Sequence, residues 1–473
     1  MLLLGLLLPA TISAQVVALG GDDEPEDPTK YFHVHPMDQP SPALKFSLLP
    51  MFFDLRPGNA AVYYGKVQAE QLIFFSNNDL QMSIIDLIDA PLEDVKDSPF
   101  GSMACPDPIY AQLRNAALCE SCDWQVPIRN ERFFEILLPE LQQTRHFCRL
   151  LAARARYQIA NGQYEDAIET LQTGYALAKN NATGPTYVHM LVAIACQSLM
   201  DEQLECLIQQ PDAPNMYWAL AALPDPLVSI RSAAEAEMSF VELSFPHLRD
   251  LSEEAVNSRT PEFWHQQLVE LMALTNYVSN GNRDWEEVTA QAEAMVATLT
   301  MRGYPRARRL LVGQGMDADF VKELTPSQAV LIAGIIEFHQ HNHDIIKWSF
   351  LPYHMAASGA READRNIGTI PGDEDVVLGL AGMVSPAVQQ ILAAQARARR
   401  QTVVLQAVEA IRMYAANNGG KLPESMDDLR SCPIPNDPVT GKPLALSFEE
   451  EQISISGPPL PSGVLDVEIT IVE

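Results

Sequence analysis

Positive charge is scarce in this chain: 32 Lys and Arg face 61 Asp and Glu across 473 residues, a formal net charge of -29. Such an excess repels phosphate backbones and anionic lipid surfaces, and no run of basic residues is dense enough to offset it, so nucleic acid is excluded as a partner. Long apolar runs are missing as well. No stretch of 18 or more apolar residues follows the first twenty, so no membrane span is expected in the mature chain. Cysteine is thinly spread: Cys105, Cys119, Cys122, Cys148, Cys196, Cys206 and Cys432 are odd in number and scattered, unlike the dense framework of a small secreted domain. Familiar catalytic signatures are lacking too. There is no Gly-x-Ser-x-Gly elbow and no phosphate-cradling glycine loop, and Gly313-Gln-Gly315 lacks both a third glycine and a preceding strand. No catalytic residue and no cofactor is therefore assigned.

What is present is a chain 47% apolar and 20% charged, long enough for two to four domains at about 100 to 200 residues each. Leu2 to Leu8 form a short apolar run, followed by Pro9, Ala10 and the small pair Ser13-Ala14. This reads as a secretory signal over residues 1–20 cut near Ala14, although no Lys or Arg precedes Lys30 to supply the usual positive start. The expected compartment is periplasmic or extracellular. Asp22, Asp23, Glu24, Glu26 and Asp27, with Pro25 and Pro28, then read as a solvated acidic linker covering 21–44.

From Pro108 to Tyr353 the pattern is one of successive amphipathic helices broken by Pro, Gly and Asn. Glu140 to Ala160 and Tyr164 to Ala178 form the clearest pair, split by Asn161-Gly162. In the second, Tyr164, Ala167, Ile168, Leu171 and Tyr175 recur at helical spacing and build one apolar face that must pack on a neighbour. Capping signals mark further starts: Thr260-Pro261, Asp284 with Glu287, and Thr325-Pro326-Ser327-Gln328, whose helix is expected to run to about Trp348 and stop at Leu351-Pro352. Gly359 to Glu374, rich in charge, Gly and Pro, reads as a loop. Ser385-Pro386 is expected to open a long helix through Ala416, ended by Asn417-Asn418-Gly419-Gly420. Leu444 to Phe448, Gln452 to Ile455 and Leu465 to Val472 alternate or are β-branched, predicting a small antiparallel sheet on that helix. The expected layout is a helical array over 45–360, a linker over 361–384 and a helix-plus-sheet module over 385–473.

Three resemblances refine this layout. Ala160-Asn-Gly-Gln-Tyr164-Glu-Asp-Ala167-Ile-Glu-Thr-Leu171 resembles the middle of a tetratricopeptide unit, in which a small residue lets two helices approach closely. Only one such unit is recognisable, which implies an irregular tetratricopeptide-like array within a mostly α fold. Ile411-Arg-Met-Tyr414, Gly420-Lys-Leu-Pro423-Glu-Ser and Pro435-Asn-Asp437-Pro438-Val-Thr-Gly441-Lys-Pro443 resemble the globular part of type II secretion major pseudopilins. The turn has its own logic, with Asp437 bonding the backbone ahead, Pro438 fixing the first turn position and Gly441 supplying positive φ. A pseudopilin carries an N-terminal membrane helix, whereas this module follows an Ala-rich helix bearing Arg397, Arg399 and Arg400, so only the α-then-β fold is implied. Cys122-Asp-Trp124, Ala213-Pro-Asn215-Met-Tyr217-Trp218-Ala-Leu220, Leu223-Pro-Asp-Pro226 and Lys347-Trp348 to Tyr353 are similar to a family of uncharacterised planctomycete proteins. That resemblance implies a shared helical fold and transfers no catalytic residue. Tyr217 and Trp218 read as core aromatics, with ligand stacking the alternative.

A few side chains could still carry chemistry. His339 and His343 lie four apart on one helix face, a metal-ligand spacing, while His341 points away. A third ligand would come from Glu337, Asp344 or His354, and Ile332, Ile335, Ile336 and Ile346 make helix-flank histidines the plainer reading. Any metal site is left unknown. His33-Val-His35 copies the HxH of metal-dependent amidohydrolases without the barrel alternation that motif needs. Cys119-Glu-Ser-Cys122 is the one CxxC, placed at the C-terminal pole of a helix over Pro108 to Leu118, where the dipole opposes a reactive thiolate. Structural thiols or a local disulfide are expected there. Asp427-Asp428 and Asp373-Glu374-Asp375 read as surface runs, and Arg306, Arg308 and Arg309 as a solvated basic spot with anion docking as the lesser option. The preferred function is a non-catalytic scaffold offering a groove to a protein or peptide partner. A metal-assisted hydrolase built on His339 and His343 is the alternative.

Overall fold

The computed structural model describes residues 29–98, 106–128, 136–280, 285–368, 378–460 and 463–472. The expected signal, the acidic run Asp22 to Asp27, Cys105, Asp284 and Asp373 to Asp375 lie outside them. The chain is mostly helical, 65% helix and 8% strand, with a small C-terminal sheet. In order the elements are β1 (Lys30–Val34), β2 (Arg56–Asn59), α1 (Ala60–Glu70), α2 (Leu72–Phe75), α3 (Asn78–Asp89), α4 (Leu92–Asp97), α5 (Asp107–Ala117) and β3 (Cys119–Ser121). Then come α6 (Pro139–Ala160), α7 (Tyr164–Asn181), α8 (Tyr187–Ile208), α9 (Tyr217–Ala221), α10 (Arg231–Met238), α11 (Phe240–Ser244) and α12 (Glu253–Asn257). The remainder is α13 (Pro261–Asn280), α14 (Trp285–Gly313), α15 (Ala318–Glu323), α16 (Pro326–Ile346), α17 (Tyr353–Gly368), α18 (Leu378–Asn417), β4 (Ala445–Phe448), β5 (Ile453–Leu460) and β6 (Gly463–Ile471).

Two compact units share these elements. The first takes the described residues up to Val126, Leu138–Ala233 and the described residues from Ala393 onward. Its centre is the trio α6, α7 and α8. Gly162 adopts φ +72° between the first two helices, a left-handed turn that costs glycine little. Ala167, Ile168, Leu171 and Tyr175 are buried along α7 as the periodicity requires. On that helix a Cβ at Gly174 would lie 2.0 Å from Met200 Sδ of α8, so the glycine permits the close approach.

The sheet of this unit has the order β1-β6-β5-β4, antiparallel except for the parallel β1–β6 pair. Ile453 lies opposite Ile469 and Ile455 opposite Val467, and Phe32 adds to the row beside Ile469. All of these are buried, the one-faced alternation of a sheet covering a core. The strand β1 falls inside the stretch expected as linker, and its partner lies at the far end of the chain.

Helix α18 carries the sheet. It starts at Leu378 and not at Ser385, so part of the stretch expected as linker is helical, with Leu378, Leu380, Ala381 and Met383 favouring helix against Gly379 and Gly382. It ends as expected, with Gly419 at φ +67° and Gly420 at φ +84°, and Gly420 N–H donating to Ala415 O at 2.8 Å. The Asp437 turn also forms as its residues dictate. Val439 N–H donates to Asp437 Oδ1 at 2.9 Å and Gly441 adopts φ +68°. Arg400 then reaches over from α18 and grips both Asp437 oxygens at 2.9 and 2.8 Å, a buried bidentate pair that also donates to Pro458 O.

The second unit holds Pro127–Leu137 and Ala234–Leu392. Its helices begin where the caps say they should. Phe263 N–H donates to Thr260 Oγ1, and Thr325 with Gln328 forms a complete capping box at the start of α16. That helix ends at Ile346 and tightens into a 3-10 turn over Lys347–Phe350. The expected loop from Gly359 is instead helix through Gly368. Its glycine is a packing device: a Cβ at Gly359 would lie 2.1 Å from Trp348 Cζ2. Among the described residues no helix is long and apolar enough to cross a membrane.

Candidate binding cleft

The first unit contains an open cleft of about 500 Å³ walled by three segments that are remote in sequence. One wall is the strap from Lys45 to Arg56, which holds a single 3-10 turn over Phe52–Asp54 before β2 begins. The strap is tied down by its backbone: Gln172 Nε2 donates to Ser47 O and Leu49 O, and Arg56 N–H donates to Leu118 O at 2.7 Å. The second wall is the end of α5, through Arg114, Asn115 and Leu118, and the third is the first half of α7, through Glu165, Ile168, Glu169 and Gln172.

Two ion pairs bridge the walls, Lys45–Glu165 at 2.7 Å and Arg114–Glu169. Their side chains are well exposed, and solvated pairs of this kind contribute about 0–1 kcal/mol, so a ligand charge can replace either partner at little cost. Arg56 and Asp54 add one further charge of each sign, leaving the lining balanced in a strongly acidic chain. Beneath Arg56 lies Cys119, whose thiol is pushed up by burial although the guanidinium pulls the other way. At the rim Phe53 is 95% exposed and Phe52 79% exposed, the two rings packing edge to face at 5.6 Å. Met51 is exposed on the same strap, and Leu44 just before it. Two adjacent aromatic rings are thus left open to water beside a polar cleft. The lining offers three cations, Lys45, Arg56 and Arg114, and three carboxylates, Asp54, Glu165 and Glu169, a set able to bind and orient a ligand of mixed charge.

None of the side chains singled out from sequence for chemistry lines this cleft. His339 Nε2 contacts Glu242 Oε1 at 3.0 Å, and its ring lies 5.9 Å from that of His343. Glu242 is held below the usual carboxylate range by that histidine contact and by His343 nearby, against the opposing effect of burial, the largest single influence. Of the proposed third ligands, Glu337 is paired with Arg306, Asp344 with Lys347, and His354 is exposed; His341, on the other side, contacts the Glu337 carbonyl. Among the described residues no group of three or more His, Cys, Asp or Glu side chains is placed to hold a metal ion. Arg308 stacks over Tyr304. His33 sits in β1 against Thr470 Oγ1, on a sheet and not a barrel.

Cys119 lies in β3, directly after α5, and burial pushes the Cys122 thiol up to about 12. Tyr217 is buried and donates to Pro433 O, while Trp218 is half-buried and donates to Gln39 Oε1. Asp428 closes a capping box with Ser425, and Asp427 pairs with Arg430 on the surface. The signal that could have exposed the cleft was Phe52-Phe53, two adjacent aromatics between Pro50 and Pro57 with neither helical nor strand periodicity to bury them. Compared with protein-family models, curated proteins and solved structures, the chain matches none.

Proposed function

We propose that this chain is a non-catalytic binding protein, exported to the periplasm or the cell exterior, whose cleft receives a protein or peptide segment. The observation that carries the reading is the nearly naked Phe52-Phe53 pair at the mouth of a polar, open cleft. Burying two such rings under a partner is worth about 1.5–3 kcal/mol each, enough to anchor a segment that also exchanges charges with Lys45, Glu165, Arg114 and Glu169. In this reading α6 and α7 act as a tetratricopeptide-like helix pair and residues 385–473 as a pseudopilin-like module, with the likeness to the planctomycete family covering Cys122 to Pro226 and Lys347 to Tyr353. No comparable feature supports the metal-assisted alternative, since His339 is engaged by Glu242.

The test compares the full chain with a Phe52→Ser, Phe53→Ser variant, each immobilised and exposed to a native cell-envelope extract. The variant should keep its melting midpoint, because the rings contribute little to the fold. It should lose on the order of tenfold or more of any specifically enriched protein. Equal capture by both forms, or no enrichment by either, would sink the proposal.

A further inference from the structure

Six thiols lie among the described residues, and their partners differ. Cys119 Sγ donates to Asn115 O at 3.4 Å, Cys206 Sγ receives Arg156 Nη1 at 3.1 Å, and Cys432 Sγ lies 3.1 Å from Met413 Sδ. Cys122 is engaged by Thr183. Only Cys148 has another cysteine as its hydrogen-bond partner, through that residue's backbone carbonyl. It sits on α6, its Sγ is 3.6 Å from the Cys196 carbonyl of α8, and both residues are 2% exposed. The two helices pack directly on each other, and the two cysteines lie 48 residues apart with the whole of α7 between them.

We infer that Cys148 and Cys196 are a disulfide-forming pair, closed when the chain folds in the presence of a small-molecule disulfide oxidant. The thiolate of one cysteine attacks the oxidant's S–S bond, forming a mixed disulfide and releasing one thiol. The second protein thiolate then displaces the remaining half as a second thiol, so two protein S–H groups become one S–S bond and the oxidant is reduced to two thiols. The exchange belongs to the docking of α6 on α8 and not to the finished fold. Once buried, Cys148 is raised well above the ordinary thiol range by its interaction with Cys196 and by desolvation, so little thiolate remains to react. The resulting staple would bracket α7, which supplies one wall of the cleft, but the inference does not depend on what the cleft binds.

The experiment refolds the full chain from denaturant with oxidised and reduced glutathione, alkylates free thiols under denaturing conditions without reduction, and maps the proteolytic peptides by mass spectrometry. The expected result is a Cys148–Cys196 linked peptide as the main cystine. Cys148→Ser should abolish it and leave Cys196 alkylated, whereas a Cys119→Ser, Cys122→Ser variant should retain it. Finding Cys148 and Cys196 both alkylated in the refolded wild type, or either one linked to a different cysteine, would overturn the inference. The wild-type map decides the matter even where Cys148→Ser fails to fold.

Discussion

The stability of the first unit should fall as pH rises from 5 to 8, the reverse of ordinary acid denaturation, because of Asp201. This side chain on α8 is fully buried. Its Oδ1 accepts the Tyr175 hydroxyl at 2.5 Å, and its Oδ2 has no partner. Burial pushes its carboxyl up to about 8, partly countered by the Tyr175 hydrogen bond and reinforced by Glu205 and Glu202 on the same helix. Glu205 is itself raised by burial, although Lys30 and Gln401 draw it back. A group whose folded pKa lies above its unfolded value gives a contribution present in full below the unfolded value, near 4, and lost as pH climbs through the folded value. The slope approaches about 1.4 kcal/mol per pH unit for one proton, so the loss between pH 5 and 8 is on the order of a few kcal/mol. Glu202 adds little, since it reaches solvent and water screens it. The assay is urea unfolding of the full chain at pH 5, 6, 7 and 8, with Asp201→Asn beside the wild type. The variant cannot ionise there and should flatten most of the slope. Stability that rises or stays level from pH 5 to 8, or an unaltered slope in Asp201→Asn, would refute the reasoning.

Other perturbations have equally definite outcomes. Arg400→Met should cost about 3–5 kcal/mol in urea unfolding, because it strands Asp437, which is only 3% exposed. Adding Asp437→Asn should recover part of that loss, and a single-variant cost under about 1 kcal/mol would mean that water reaches the pair. Gly65 and Gly359 should respond to alanine with opposite signs. Gly65 lies mid-helix on an exposed face with nothing within 4 Å of a new Cβ, so Gly65→Ala should stabilise by about 0.5–1 kcal/mol. Gly359→Ala drives a methyl into Trp348 and should destabilise by about 1–3 kcal/mol; thermal melts showing the same sign for both would contradict the packing described.

What could be read from the sequence was local. The α6–α7 pair, the Thr325 capping box, the glycine stop of α18 and the Asp437 turn each depend on residues within a few positions, so periodicity and capping chemistry reach them. The failures were long-range. Strand β1 was hidden inside a linker reading because Lys30 pairs with Val467, and neither segment advertises the other. Gly359 looked like a breaker because its purpose, room for Trp348, belongs to tertiary packing. His339 and His343 had metal-like spacing, but the carboxylate that engages His339 stands on α11, where nothing in the sequence linked it to them. The charged residues of the cleft each resemble an ordinary solvated side chain until three segments bring them together.

Arg412 shows why this limit is physical and not a shortage of rules. A fully buried guanidinium is tolerable only when its donors are met. Here they are, by Glu409 three residues away, by Ala213 O at a separation of 199 residues and by His35 O at 377. Asn215 closes the same junction, donating to Glu409 O and Met37 O. Helix α18 is rich in alanine, whose small methyl does little to choose among packing registers. Polar groups that must all be satisfied at once penalise every register but one. The specificity of that helix therefore resides in a few charges that local pattern alone would assign to the surface, and their burial could be foreseen only by knowing which distant carbonyls would arrive to meet them.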